Sequence, residues 1–270
     1  MVGWLRLLCL ALILGPLATA NIAAGAEFPG LIEPHRVIKV GSPQAGVLAT
    51  MEVDRGDYVR AGQILATLDS RVEKATMEVA RIRAEMEATI DLKQANLDFF
   101  DRKKDRAERL HDRRVIAPSE LDETSTNRDL AKMQLKEAQE NKRLAEVEHK
   151  KAVEAVNRLT IRSPINGVVV ERLLSPGEYV EDQPVLKLAQ IDPLNVEVIL
   201  PKALFLSIKV GMRAQVQPEG PLGGQYTAIV KIVDRVIDAA SGTFGVRLEL
   251  PNPGHRIPAG LKCKVTFPSK

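Results

Sequence analysis

From Ser70 to Arg158 apolar and small residues recur at three- and four-residue spacing, with charged residues filling the positions between. No glycine stands between Gly62 and Gly167, and Pro118 is the only proline between Pro43 and Pro164. Glycine and proline are the residues that interrupt helices, so the run predicts two long helices joined by a turn near Pro118. At about 1.5 Å per residue, an arm of roughly forty residues reaches about 60 Å. The spacing selects Val72, Ala75, Val79, Ile82 and Met86 on the first arm, with Lys93, Asn96 and Lys103 interrupting that seam further on. On the second arm it selects Leu121, Thr124, Ala131, Leu135, Ala138, Ala145, Ala152 and Val156. Alanine dominates the second stripe, so the arms are expected to lie close together and antiparallel. Ser70-Arg71-Val72-Glu73 has the spacing of a capping box and predicts the first helix start.

An internal repeat brackets the helical run. Ser42-Pro43-Gln44-Ala45-Gly46-Val47-Leu48 aligns with Ser163-Pro164-Ile165-Asn166-Gly167-Val168-Val169. Without a gap, Gly56-Asp57-Tyr58-Val59 then falls on Gly177-Glu178-Tyr179-Val180, and Gln63-Ile64-Leu65 on Pro184-Val185-Leu186. Each copy reads as short strands separated by glycine turns, and neither copy is large enough to bury a core alone. Facing each other they close one β sandwich, which brings the two ends of the helical insertion side by side. Beyond it, Asn195–Leu200, Ala214–Gln217, Tyr226–Val236, Gly245–Leu250 and Lys262–Phe267 alternate as strands of a small antiparallel barrel, with a helical turn expected over Lys202–Ile208.

A split lipoyl-like sandwich with a long α-hairpin inserted resembles the periplasmic adaptor family, the membrane-fusion or HlyD-type proteins of tripartite efflux and secretion pumps. The segment Val236-Ile237-Asp238, the run Thr243 to Pro253 and Pro258-Ala259-Gly260-Leu261 are similar to that family's barrel. The expected fold class is therefore α+β and elongated: a split lipoyl-like β sandwich, an inserted antiparallel α-helical coiled-coil hairpin and a small antiparallel β-barrel. The expected domains are a signal peptide at 1–26, a linker or strand at 27–37, sandwich halves at 38–69 and 159–191, the hairpin at 70–158 and the barrel at 192–270. The resemblance further implies an inner-membrane transporter of the resistance-nodulation-division or ATP-binding cassette type, an outer-membrane channel of the TolC type, and a homo-oligomeric state. A membrane-proximal domain built in that family from both chain ends is expected to be absent or reduced here. At the hairpin tip, adaptors that meet a TolC-type duct carry an arginine, a leucine four residues on and a serine at the turn. Arg106 and Leu110 match the first two, Ala117 occupies the third slot, and Pro118 and Ser119 follow.

Composition narrows the classes. The apolar run Leu7 to Leu14 after Arg6, followed by Ala18-Thr19-Ala20 and Ala24-Gly25-Ala26, reads as an export signal cleaved at 20 or 26, or retained as an anchor, and places the protein in the periplasm, associated with the inner membrane. A net charge of +3 with acids and bases interspersed along the helices argues against nucleic acid as a partner. The four histidines stand apart without metal-ligand spacing, and neither a phosphate-binding loop nor a nucleophile elbow is present, so no metal, cofactor or enzymatic activity is expected. A biotin or lipoyl carrier needs a lysine at a hairpin tip, and neither Thr50-Met51-Glu52 nor Val170-Glu171-Arg172 supplies one. A periplasmic coiled-coil tether without a pump is the alternative function.

Overall fold

The computed structural model of the protein describes residues 26–220 and 223–268. The expected export signal lies outside them, apart from its last residue. Among the described residues no helix is long and apolar enough to cross a membrane. The chain divides into two compact units, one of residues 34–192 and one of the residues up to Glu33 together with those from Pro193 onward.

In the first unit the strands are the end of β1 (Glu27–Val40), β2 (Gly46–Met51), β3 (Tyr58–Val59), β4 (Ile64–Leu68), β5 (Thr160–Arg162), β6 (Gly167–Arg172), β7 (Tyr179–Val180) and the start of β8 (Leu186–Pro201). The repeat becomes a pairing rule. Tyr58 and Val59 of β3 pair with Val168 and Gly167 of β6, and the equivalent Tyr179 and Val180 of β7 pair with Val47 and Gly46 of β2. Each half thus completes a strand pair in the other. The turns repeat as well: Ser42 Oγ donates to the Gln44 carbonyl and Ser163 Oγ to that of Ile165, both at 2.6 Å. Asp57 and Glu178 each accept the backbone N–H three residues earlier, from Asp54 and Ser175. Between them Gly56 and Gly177 adopt φ of 95° and 94°, a region that excludes most side chains. Leu48, Leu65, Leu68, Ile161, Val169, Val180, Val185 and Leu186 from both halves form one buried core.

The helical insertion leaves from this core and returns to it, since the N–H of Leu68 donates to the carbonyl of Leu159 at 2.9 Å. It comprises α1 (Arg71–Glu85), α2 (Ala88–Asp112) and α3 (Pro118–Asn157). Lys142 pairs with Glu87, Lys93 donates to Gln134, and Arg128 pairs with Asp101, so α3 runs antiparallel to the first arm. The second-arm stripe meets that arm as expected, with Thr124, Ala131, Leu135 and Ala138 buried.

The first arm differs from expectation in three ways. It is broken at Met86 and Glu87, where Met86 takes the extended conformation. Its expected stripe lies outside, with Val72, Val79, Ile82 and Met86 exposed, whereas the inward positions are Met77 and Ala84, then Ile90, Leu97, Lys104 and His111. Those positions are seven residues apart except across the break, where the step is one shorter. An unbroken helix would carry the second set about 100° out of phase. The two non-helical residues absorb that rotation. Third, Ser70 sits at the helix start with ψ of 18° and makes no capping bond. Asp69 acts in its place, accepting from the Arg71 N–H at 3.2 Å and from its guanidinium.

In the second unit β9 (Arg213–Pro218), β10 (Tyr226–Val233), β11 (Thr243–Leu250) and β12 (Lys262–Thr266) join the beginning of β1 and the end of β8. The order β1-β12-β9-β10-β11-β8, with β1 also paired to β8, closes six strands into a barrel. Val196, Val198 and Leu200 alternate inward with Val216, Val230, Val246 and Leu248, the period of two expected of strands with one buried face. β10 ends at Val233, short of the expected Val236, where the Asp234 N–H turns to the Gly245 carbonyl. The helical turn expected over Lys202–Ile208 is one 3-10 turn, Lys202–Leu204.

Candidate functional site

The five site residues singled out from the sequence lie in the last two turns of α2 (Arg106, Leu110), in the connection (Ala117) and at the start of α3 (Pro118, Ser119). α2 ends because Arg114 adopts φ of 59°, reversing the chain. Its N–H donates to the His111 carbonyl at 2.7 Å, and that of Val115 to the Leu110 carbonyl at 2.9 Å. This double closure is the usual way a helix satisfies its last carbonyls, normally with glycine at the reversed position. α3 starts at Ala117 with ψ of 152°, followed by Pro118 at the first helical position, where its missing N–H costs nothing. Glu120 and Leu121 both direct their N–H groups to the Ala117 carbonyl. Basic Arg109 at the end of α2 and acidic Glu120 at the start of α3 complement the helix dipoles.

The five residues divide between two environments. Arg106, Ala117, Pro118 and Ser119 are exposed, whereas Leu110 is half-buried along with Ile116 and Leu121. Ala107 on α2 and Thr124 on α3 are buried, and Thr124 Oγ1 donates back to the Glu120 carbonyl at 2.8 Å. Leu110, Ile116 and Leu121 are thus the sheltered apolar residues of the turn, beside an exposed set that includes Val115, 65% exposed. The end of α2 also holds a buried polar group, since His111 Nδ1 is buried without a hydrogen-bond partner among the described residues. Nothing in the residue order marks that nitrogen, because its burial follows from the inward phase of α2. Ser119 does not cap α3.

Elsewhere the described residues hold no group of three histidine, cysteine, aspartate or glutamate side chains placed to bind a metal ion. Cys263 is buried in the barrel, and burial together with the nearby Glu219 carboxylate pushes its thiol up to about 11. The barrel exposes a second apolar set, Leu206, Val210 and Val236. Leu206 follows Phe205, whose ring packs edge-on against Phe244 with centroids 5.3 Å apart.

Residues 36–190 match the CzcB-like barrel-sandwich hybrid domain, and residues 194–270 match the CusB-like beta-barrel domain. The chain is 25% identical over 247 residues to the macrolide export protein MacA of Yersinia pestis, covering 88% of this chain and 66% of the relative. It is 24% identical over 238 residues to the cobalt-zinc-cadmium resistance protein CzcB of Cupriavidus metallidurans, covering 87% of this chain and 43% of the relative. The chain thus spans less than two thirds of the length of these curated relatives. The crystal structure of MacA from Actinobacillus actinomycetemcomitans shares its fold with a TM-score of 0.75 at 20% identity, over 91% of this chain and 79% of that one.

Proposed function

Because the chain belongs to the family of the CzcB-like barrel-sandwich hybrid domain, which takes in more than half of it, we propose that it is a periplasmic adaptor of a tripartite efflux or secretion pump. In this reading it is associated with the inner membrane, assembles with copies of itself and joins an inner-membrane transporter to an outer-membrane channel. Its work is mechanical and not enzymatic. The observation that carries the reading is the root of the helical insertion, where Leu68 and Leu159 are hydrogen-bonded inside one core built from both repeat halves. A sandwich that closes on the root of two long arms holds them as one rigid projection, an antiparallel coiled-coil hairpin whose turn is free to meet a partner.

The turn is then the channel-facing end. Arg106, Ala117, Pro118 and Ser119 supply the exposed contact, and Leu110 supports it from below. MacA is named for macrolide export and CzcB for cobalt, zinc and cadmium resistance. The first name states export and the second resistance, and they share no cargo, so export is carried over without a cargo. The transporter is of the resistance-nodulation-division or ATP-binding cassette type.

Leu110→Asp and Ala117→Arg test the reading, because each puts charge into a contact that must exclude water. Export by cells carrying either variant should fall while the thermal melt of the purified protein stays close to that of the unsubstituted chain, since a turn far from the sandwich core opens locally. Undiminished export with both variants would remove the turn from the contact.

A further inference from the structure

The two ends of the barrel differ. The registers Glu27↔Thr266, Thr266↔Gln215, Ile229↔Arg213 and Thr243↔Pro201 put the start of β1, the ends of β8, β10 and β12 and the starts of β9 and β11 at one end. The connections 202–212 and 234–242 lie there together, since the Lys202 N–H donates to the Gly242 carbonyl at 2.9 Å and the Gly211 N–H to that of Val230 at 2.8 Å. They carry Leu206, Val236 and Val210, which are 85%, 83% and 66% exposed. At the opposite end Ile257 is buried and Leu261 half-buried.

Basic side chains accompany these aliphatic ones. Lys202, Lys209, Arg213 and Arg235 are all exposed at this end. Of the acids there, Glu27 pairs with Lys264, and Asp238 turns back to accept the N–H groups of Ala240 and Ser241, which leaves Asp234 to set against four cations. The nearby aromatic rings pair with each other, Phe205 with Phe244 and Phe28 with Phe267, so the outermost apolar side chains are aliphatic. Protein interfaces favour aromatic residues and are depleted in lysine. Aliphatic tips among lysine and arginine are instead the composition of a surface that enters the headgroup layer of a bilayer. β1 also begins at this end, so residues 1–25, with the apolar run Leu7 to Leu14, join the barrel here.

We propose that this end of the barrel sits directly on an anionic lipid bilayer, with Leu206 and Val236 below the headgroups and Lys202, Lys209, Arg213 and Arg235 against the phosphates. Burial of the aliphatic side chains and attraction of the cations to the negative surface act together, and either alone is weak and reversible. The inference rests on the adaptor reading, which puts the chain at the inner membrane, and it names the surface that meets the lipid. A transporter spanning that membrane stands beside the same end.

Tryptophan fluorescence of the full chain tests it. Trp4 is the one tryptophan of the sequence, so Trp4→Phe with Leu206→Trp leaves a single reporter at the barrel end. Vesicles of phosphatidylethanolamine and phosphatidylglycerol with brominated acyl chains should shift its emission to the blue and quench it. Pure phosphatidylcholine vesicles should quench it far less, and high salt should reverse the binding. Trp4→Phe with Arg256→Trp, which reports from the opposite end, should stay unquenched. Adding Lys202→Glu and Lys209→Glu to the first reporter should weaken vesicle binding by about tenfold or more, and adding Val236→Asp should remove the quenching with the thermal melt unchanged. A folded chain whose reporter at position 206 is not quenched overturns the contact, as does equal quenching from both ends or equal quenching by phosphatidylcholine. Quenching that appears only in membranes containing proteins would identify a protein partner and overturn it too. Export separates the two ideas. Export that depends on the chain without lipid quenching refutes the lipid contact alone, and quenching by a chain whose deletion leaves export unchanged refutes the adaptor reading alone.

Discussion

The backbone N–H of Gly177 donates to the carbonyl of Leu48 at 2.8 Å, in the other half of the repeat. Its counterpart runs the opposite way, from Gly56 to the carbonyl of Val169 at 2.9 Å. Neither half can satisfy these groups by itself, so the two must fold as one body. Because the helices enter and leave beside the Leu68–Leu159 hydrogen bond, replacing residues 71–157 by a short flexible linker should leave the sandwich intact, with a single cooperative melt. Loss of the folded sandwich in that variant would mean that the helices contribute to its core.

A substitution repeated at equivalent positions should have unequal effects. A methyl group added at Gly167 would meet the backbone oxygen of Ala189 at 2.3 Å, whereas at Gly46 it would meet only the end of the Leu68 side chain, at 3.0 Å. Gly167→Ala should therefore destabilise the sandwich by about 1–3 kcal/mol, the range for overpacking against something that cannot yield. Gly46→Ala should cost less, because a leucine side chain can turn aside. Equal denaturation midpoints for the two variants would contradict this account.

Arg114 holds the reversed position at the end of α2 with φ of 59°. A side chain there costs roughly 1–2 kcal/mol, partly offset by the extra freedom glycine has when unfolded. Arg114→Gly should raise the stability of the turn by up to about 1 kcal/mol, read by hydrogen exchange at the Val115 amide. Faster exchange in the variant would show that the arginine side chain stabilises the turn.

The pair at the break has a defined pH range. The Lys142 ammonium hydrogen-bonds to Glu87 and holds its carboxyl below the ordinary 4.5, while Glu87 raises Lys142 above 10.5. A lowered acid contributes stability above its unfolded value and loses it as pH falls through the folded one, and a raised base does the reverse. The difference in helix melting between the intact chain and Glu87→Gln should be constant from about pH 5 to about pH 10 and shrink on either side. A difference that grows below pH 4.5 would contradict the pairing.

Much of this architecture is legible in residue order because backbone geometry demands particular residues. Gly56 and Gly177 need positive φ, and Gly167 needs room beside Ala189, so the repeat is written in glycines. The helical insertion is visible because it lacks them. The break at Met86 and Glu87 leaves no such mark. It arises from a fit between two surfaces, the one-residue change of step between Ala84 and Ile90 as the arm follows α3, and small or polar inward residues such as Ala80 and Lys104 hide that phase behind the larger Val72, Val79 and Met86. At the turn, Arg106 and Leu110 are singled out through the resemblance to the adaptor family's tip, whereas the start of α3 could be located from Pro118. Arg114 and the buried face of His111 could not, since an arginine in a glycine-like conformation carries no sequence signal.

The most direct test of the adaptor reading is photo-crosslinking in living cells from two positions of one chain, Ser119 in the turn and Leu206 on the exposed apolar surface of the barrel. The account predicts that the probe at Ser119 captures an outer-membrane channel and the probe at Leu206 an inner-membrane transporter, each identified by mass spectrometry, and that Leu110→Asp abolishes the first capture while sparing the second. Capture of no envelope transport protein from either position, in cells where the chain is folded and abundant, would contradict it.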